Sequence, residues 1–490
     1  MSDHIANAAR RVLLQQASAF SVLGTGAPLA MSLAAAGAQA AAATSDYKAL
    51  VCIFLYGGND AYNTIVATDD ESWRHYTAVR NQQPTSIALL RDKLPDKTAP
   101  IGSPEWLGGV LPIAARSKQA ARSFAMHPLM TDAQRLFNIN QRLAIVANVG
   151  PLTEPLSKAD FTDALKQKPR KLFSHNDQQS TWQSLAPEGA TVGWGGRFAD
   201  LLSDANSNSM FTAISANGNC VWSSGRHTRT YQISPYGPVR LGPVNTQGKV
   251  VVFGSDEVGD ALLRIVSSAR SNQLMAADLA DLSSRSIRSE RILSKALPTT
   301  NGLSAENPLS QQLQQVARLI AAKDSLSMKR QVFFVGLGGF DTHHNQNKTH
   351  ADLMAKLNHA LAYFDNTLGA MGLSNQVTTF TCSDFGRSFT SNGDGSDHGW
   401  GGHHLVMGGA VRGGDIYGRF PTIGKKNRTD NEFDASPDQL NNGVLLPNIS
   451  IDQYGATLGR WFGLSDGQLN DIFPNLARFA PSQNLGFMAS

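Results

Sequence analysis

Lys48-Ala49-Leu50-Val51-Cys52-Ile53-Phe54-Leu55-Tyr56-Gly57-Gly58-Asn59-Asp60 is the stretch on which the fold reading turns. Its apolar centre leaves no polar face, so a strand here is buried on both sides, as in a parallel sheet covered by helices. Gly57-Gly58 stops the run and lets the backbone turn, and Asp60 then projects from the strand's carboxyl end. Similar runs recur at 143–149, 331–337, 377–382 and 405–407. Helical patterns lie between them at 130–138, 256–297, 309–323 and 351–368, the last with apolar residues at 353, 354, 357, 361 and 364. This alternation predicts an α/β three-layer sandwich around a mostly parallel sheet. In such folds ligands gather beyond the carboxyl ends of the strands.

A further helix is expected at 453–462, closing the domain. The segment 191–253 is rich in Gly, Ser, Asn and Thr, with short β-type runs at 228–233 and 249–253, and reads as an insertion or cap. No linker composition divides 46–475, which is expected to be a single domain followed by a tail at 476–490. At the other end, Arg10 and Arg11 precede a run without charge from Val12 to Ser45 that contains Ala38-Gln39-Ala40. This pattern predicts a twin-arginine signal over residues 1–40 with a small-residue cleavage site. The expected location is periplasmic or secreted, the expected export partner is the twin-arginine translocase, and no stable membrane span is left after cleavage.

The net charge of +4 on 490 residues, with 17% charged, does not fit a nucleic-acid binder. Cys52, Cys220 and Cys382 show no paired spacing, so neither a disulfide framework nor a cysteine-type zinc site is written here. Unusual residues gather instead at strand ends. Gly338-Gly339-Phe340-Asp341-Thr342-His343-His344 follows one run and Ser383-Asp384-Phe385-Gly386-Arg387 the next, and Asp397-His398-Gly399 follows a glycine-rich loop. Seven of the 12 histidines fall between 341 and 404. Carboxylates and imidazoles converging at one sheet edge suit Zn²⁺, Mn²⁺ or Fe²⁺, while a carboxylate-rich subset would accept Mg²⁺ or Ca²⁺.

The order Gly-Gly-Asn-Asp, Ser-His, Gly-Gly-Phe-Asp-Thr-His, Ser-Asp-Phe-Gly-Arg and Asp-His-Gly resembles the DUF1501 family of exported proteins of unknown function. That family is in turn similar to the alkaline phosphatase and sulfatase superfamily. The resemblance implies an alkaline-phosphatase-like fold with a divalent metal held by Asp60, by Asp341 with His343 or His344, by Asp384, and by Asp397-His398. It implies a nucleophile at a helix N-terminus, for which Ser174 in Phe173-Ser174-His175-Asn176-Asp177 is the candidate. Arg387, His175 and Asn63 are the candidate substrate-binding residues, with Arg387 able to clamp an anionic ester. The chain departs from the superfamily's Asp-x-x-x-His, since Asn345 stands where that histidine would be, and it has Asp384-Phe385 in place of Asp-His. A one-metal site is therefore expected.

Two functions follow: a metal-dependent hydrolase of small phosphate or sulfate esters, or a non-catalytic protein that binds a metal, another ligand or a partner in the same pocket. A third reading, calcium binding by Asn392-Gly393-Asp394-Gly395-Ser396-Asp397, has oxygen ligands without EF-hand spacing. The export reading is tested by replacing Arg10 and Arg11 together with Lys. The precursor should accumulate in the cytoplasm, and an unchanged periplasmic yield would reject the signal.

Overall fold

The structure is a computed structural model that describes residues 47–489, apart from 121, 208, 236, 238–244, 246–248, 269–273 and 297–306. The expected signal at 1–40 lies outside the described residues. Residues 47–490 form one compact unit.

The central sheet has nine strands: β1 (Lys48–Tyr56), β2 (Leu143–Gly150), β3 (Ala213–Ser215), β4 (Tyr231–Gln232), β5 (Arg330–Gly338), β6 (Val377–Ser383), β7 (Gly402–Met407), β8 (Ile416–Tyr417) and β9 (Ile449–Ser450). Their order is β8-β2-β7-β6-β1-β5-β3-β4, with β9 also on β2. β1 lies between β5 and β6 and is parallel to both. Only β7 runs against its neighbours, antiparallel to β2 and β6. A short apolar run carries no sign of strand direction, so this reversal was not legible in residues 405–407.

β1 divides its side chains strictly by parity. Ala49, Val51, Ile53 and Leu55 enter one core, and Leu50, Cys52 and Phe54 the other. On the first side lie α2 (Thr131–Asn138), α7 (Pro308–Ala321) and α8 (Gln346–Ala370), introduced here with α1 (Asp70–Arg80), α3 (His175–Ser184), α4 (Trp194–Leu202), α5 (Asp256–Val266), α6 (Leu274–Ala296) and α9 (Ile451–Phe462). On the second lie α4 and α9, through Trp194, Phe198, Tyr454, Leu458 and Phe462. The α/β three-layer sandwich is thus present.

Three boundaries differ from the sequence reading. The span 256–297 is two helices, α5 and α6, and at the end of the first the Ser267 hydroxyl donates to the Leu263 carbonyl. The segment 191–253 is no mere cap: α4, β3 and β4 lie within it, and Trp194, Phe198 and Trp222 are core residues. Its run at 228–233 reduces to β4, while 249–253 contributes isolated bridges at Val250 and at Val252, the latter with Ser255. The segment after 475 packs inward, with Phe487 fully buried and Met488 bridged to Val411.

Asp452, in the first turn of α9, is 2% exposed. Burial raises its carboxyl pKa to about 6, against hydrogen bonds from Asn475 and its own backbone that pull it down. The folded value lies above the unfolded one of about 3.9, so the folded state favours the neutral acid. That stabilisation is complete below about pH 4 and is lost as pH rises through 6. Asp452→Asn keeps the neutral shape, so its stability relative to wild type should improve by about 2 kcal/mol between pH 4.5 and pH 8. Urea unfolding at the two pH values checks this, and a difference that does not grow with pH would reject it.

Candidate metal centre

β5, β1 and β6 end together, with Tyr56 opposite Gly338 and Leu55 opposite Ser383. Parallel pairing therefore delivers Asp341 and Asp384 to one edge. The close approach of these ends depends on two glycines. A Cβ on Gly57 would lie 2.3 Å from the Asp341 nitrogen, and one on Gly58 2.4 Å from the Phe385 ring, and both residues have positive φ.

At this edge three imidazoles meet a carboxylate. The Nε2 atoms of His175 and His398 are 3.1 Å apart, and those of His343 and His398 are 3.0 Å apart. Asp341 Oδ1 stands 3.1 Å from His343 Nε2 and 3.5 Å from each of the other two. His175 starts α3, His343 follows β5, and His398 ends the strand Ser396–His398 of a small hairpin with Arg387–Ser391. Phe385 packs on both the His175 and the His398 ring, at 4.8 and 4.7 Å.

The opposite ring nitrogens are held by acceptors. His175 Nδ1 donates to Asp384 Oδ2 at 2.7 Å, His398 Nδ1 donates to the Phe173 carbonyl at 2.7 Å, and His343 Nδ1 faces Asp397 Oδ1 at 3.4 Å. The hydrogen-bond network thereby assigns the proton to Nδ1 in the neutral rings of His175 and His398. Nε2 lone pairs are then left facing one another and a carboxylate, an arrangement that requires a shared proton or a cation. Ligand separations of 3.0 to 3.5 Å match the edge of about 3.3 Å that a tetrahedron with Zn–N bonds of about 2.0 Å would have. Nδ1 anchored on a carboxylate or carbonyl is also the outer-shell pattern of metal-binding histidine. Asp384 adds a buried Oδ1 with no hydrogen-bond donor, while its Oδ2 also accepts from Gln179 Nε2 at 2.8 Å. The donor set fits a divalent ion.

The charges of the cluster are poised against each other. The hydrogen bond to Asp384 raises the pKa of His175 despite burial, whereas burial lowers that of His398. Partial burial pushes the Asp341 carboxyl up, but the hydrogen bond and charge of Arg387 outweigh it and hold the value below the usual range.

Several residues expected at the site are elsewhere or act differently. Asp60 is fully buried and its carboxylate is spent: Arg80 donates to both oxygens at 2.6 and 3.0 Å, Gln346 donates at 2.6 Å, and the Tyr62 amide at 3.1 Å. Asn63 sits behind it, buried and bonded to Tyr76, Arg80 and the Ile87 carbonyl. Arg387 is enclosed, donating to Asp341 at 2.6 Å and to the Gly57 and Ser396 carbonyls, so its guanidinium is committed to positioning Asp341. His344 points to solvent near Asp394. Asp397 and Asp384 orient histidines, and His175 belongs to the cluster itself. Ser174 donates its hydroxyl to Asp177 Oδ2 at 2.8 Å. Of the other histidines in the rich window, His350, His403 and His404 are buried outside the cluster, and His359 bonds Ser310 on α7. The loop Asn392 to Asp397 is a hairpin turn, with Asn392 bonded to Asp397 and Asp394 to the Asn345 amide.

Gln179 could have been read from its place four residues after His175, on the same helical face. Arg80 and Gln346 carry no such signal, because only the tertiary fold brings them to Asp60.

Among solved structures the chain is similar to the PsFucS1 sulfatase from Pseudoalteromonas sp., at 8% identity over 94% of this chain and 73% of that one, with a TM-score of 0.35. It is similar to the lipoteichoic acid synthase LtaP from Listeria monocytogenes at 8% identity over 87% and 78%, with a TM-score of 0.28. A mutant of alkaline phosphatase PafA matches at 10% identity over 70% and 64%, with a TM-score of 0.22. Likeness at this level carries no argument about chemistry. No curated protein matches the chain. Residues 47–473, nearly all of the compact unit, match one family throughout, and the chain belongs to that family, DUF1501, described as a protein of unknown function.

Proposed function

We propose that the protein is an exported, metal-dependent hydrolase-like protein acting on small phosphate or sulfate esters, with His175, His398 and Asp341 holding one divalent ion and His343 beside them. The observation that carries this reading is the set of Nε2 atoms turned toward one another and toward Asp341 while Nδ1 is pinned outward. Two or three imidazoles with one carboxylate suit Zn²⁺ or Mn²⁺ better than Mg²⁺ or Ca²⁺. A divalent ion at this point supplies Lewis-acid polarisation of an ester oxygen.

The chain's own groups do the rest. Asp384 and the Phe173 carbonyl fix the rings, Arg387 keeps Asp341 ionised and in place, and Phe385 keeps water from one side of the cluster. Ser174 is weakly activated. Its partner Asp177 is held ionised, against burial, by that hydroxyl, the Glu188 amide and Lys171, and is therefore a poor base. The non-catalytic reading has one observation in its favour: Arg387 is spent on Asp341 and offers nothing to an anionic ester. Export through the twin-arginine translocase, to a periplasmic or secreted location, is supported by Arg10-Arg11, and among the described residues no helix is long and apolar enough to cross a membrane.

Elemental analysis of the purified protein should find about one divalent ion per chain. His398→Ala and Asp341→Ala should lose it, and Asp384→Asn should weaken binding by about 10- to 100-fold. Chelation should abolish turnover of aryl phosphate or aryl sulfate, while Ser174→Ala should keep the metal. Failure to take up any divalent ion would reject the centre. A metallated protein that turns over no ester would leave the binding reading.

A further inference from the structure

A cavity lies at the C-terminal end of α3, the helix whose first residue is His175. It holds about 500 Å³ and is lined by Thr181 and Leu185 at the end of α3 and by Ile451 and Asp452 at the start of α9. That volume is within the range of small-ligand sites. Its walls are mainly apolar, with Leu152, Leu185 and Ile451 facing the space. Leu185 itself has φ +65, a conformation unusual for a branched residue, at the point where the helix ends into the cavity.

The informative group is Asp452. It is 2% exposed and lines the cavity, yet only neutral donors meet its carboxylate: the Asn475 amide at 3.1 Å, the Asn475 side chain and its own backbone. No arginine or lysine pairs with it among the described residues. A buried carboxylate without a counterion is costly, and proteins ordinarily resolve that cost with a cation. Two cations do line the same cavity, Lys168 and Arg170, but Arg170 is exposed and Lys168 donates to the Asp163 carbonyl. Both line the cavity without pairing with Asp452, and there they repel a simple amine and attract a carboxylate.

We propose that this cavity binds a short apolar peptide in its zwitterionic form, with the terminal ammonium on Asp452, the side chains against Leu152, Leu185 and Ile451, and the carboxylate toward Arg170. The inward carboxylate sets the polarity, and the lining cations exclude plain amines. The raised pKa of the empty Asp452 agrees with a group that lacks its ionic partner. This site is separate from the metal centre and does not depend on it.

Isothermal titration of the full chain at pH 7.5 with the dipeptide leucyl-leucine, its N-acetyl derivative and its C-terminal amide tests the assignment. Leucyl-leucine should bind. Acetylation, which removes the ammonium, should weaken binding at least about tenfold, the scale of one charge-assisted hydrogen bond in a desolvated site. Amidation should weaken it by about two- to fivefold, since Arg170 is exposed. Asp452→Asn should bind the free and the acetylated peptide alike. Equal binding of both by wild type, or no heat from any of the three at millimolar concentration, would overturn the proposal without recourse to a variant.

Discussion

Everything at the sheet edge depends on β1 being buried on both faces. Apolar side chains on alternate faces require two cores, and two cores require helices above and below. With both faces covered, β5 and β6 flank β1 and their ends meet its end. The loop after β1 then has to turn at once, which the two glycines permit, and the acidic residues after β5 and β6 arrive within a few ångströms of His175. The centre is thus a by-product of strand alignment, and its precision is inherited from the hydrogen-bonded ladder.

Two arginines manage the negative charge that this alignment concentrates. Arg80 neutralises Asp60 in full burial, and Arg387 does the same for Asp341 while leaving it partly open. Gln346 joins the two systems, donating to Asp60 and accepting from the Ser396 hydroxyl at 2.5 Å, and Ser396 in turn contacts Arg387. A buried ion pair of this sort adds little net stability when intact, but removing one partner leaves an uncompensated charge. Its role here is to fix geometry, because each guanidinium also ties down backbone carbonyls around the edge.

The layered architecture was legible from β1 outward, since a run without a polar face has few alternatives, and Asp341, His343 and His398 were found because chemistry-bearing residues at strand ends are conspicuous. The reading failed where partners decide the role. Asp60 looked like a ligand because nothing in its neighbourhood announces Arg80, which approaches from another helix. Arg387 looked like an anion clamp because its enclosure by Gly57 and Ser396 is tertiary. His175, expected to touch substrate, is instead part of the cluster, and His344 turns outward because a bend between adjacent residues sends neighbouring side chains in opposite directions.

The register of β1 also governs the order in which the molecule can be made. The strand is among the first described segments to leave the ribosome, yet its partners begin at Arg330 and Val377, and contacts such as Ser383 with the Leu55 carbonyl join residues 328 apart. Its two hydrogen-bonding edges therefore have no native partner until most of the chain has been synthesised. Non-local pairing of this kind is slow and exposes an aggregation-prone strand in the interval. A strand made early is thus paired late, so the burden of keeping it soluble falls on whatever accompanies the nascent chain.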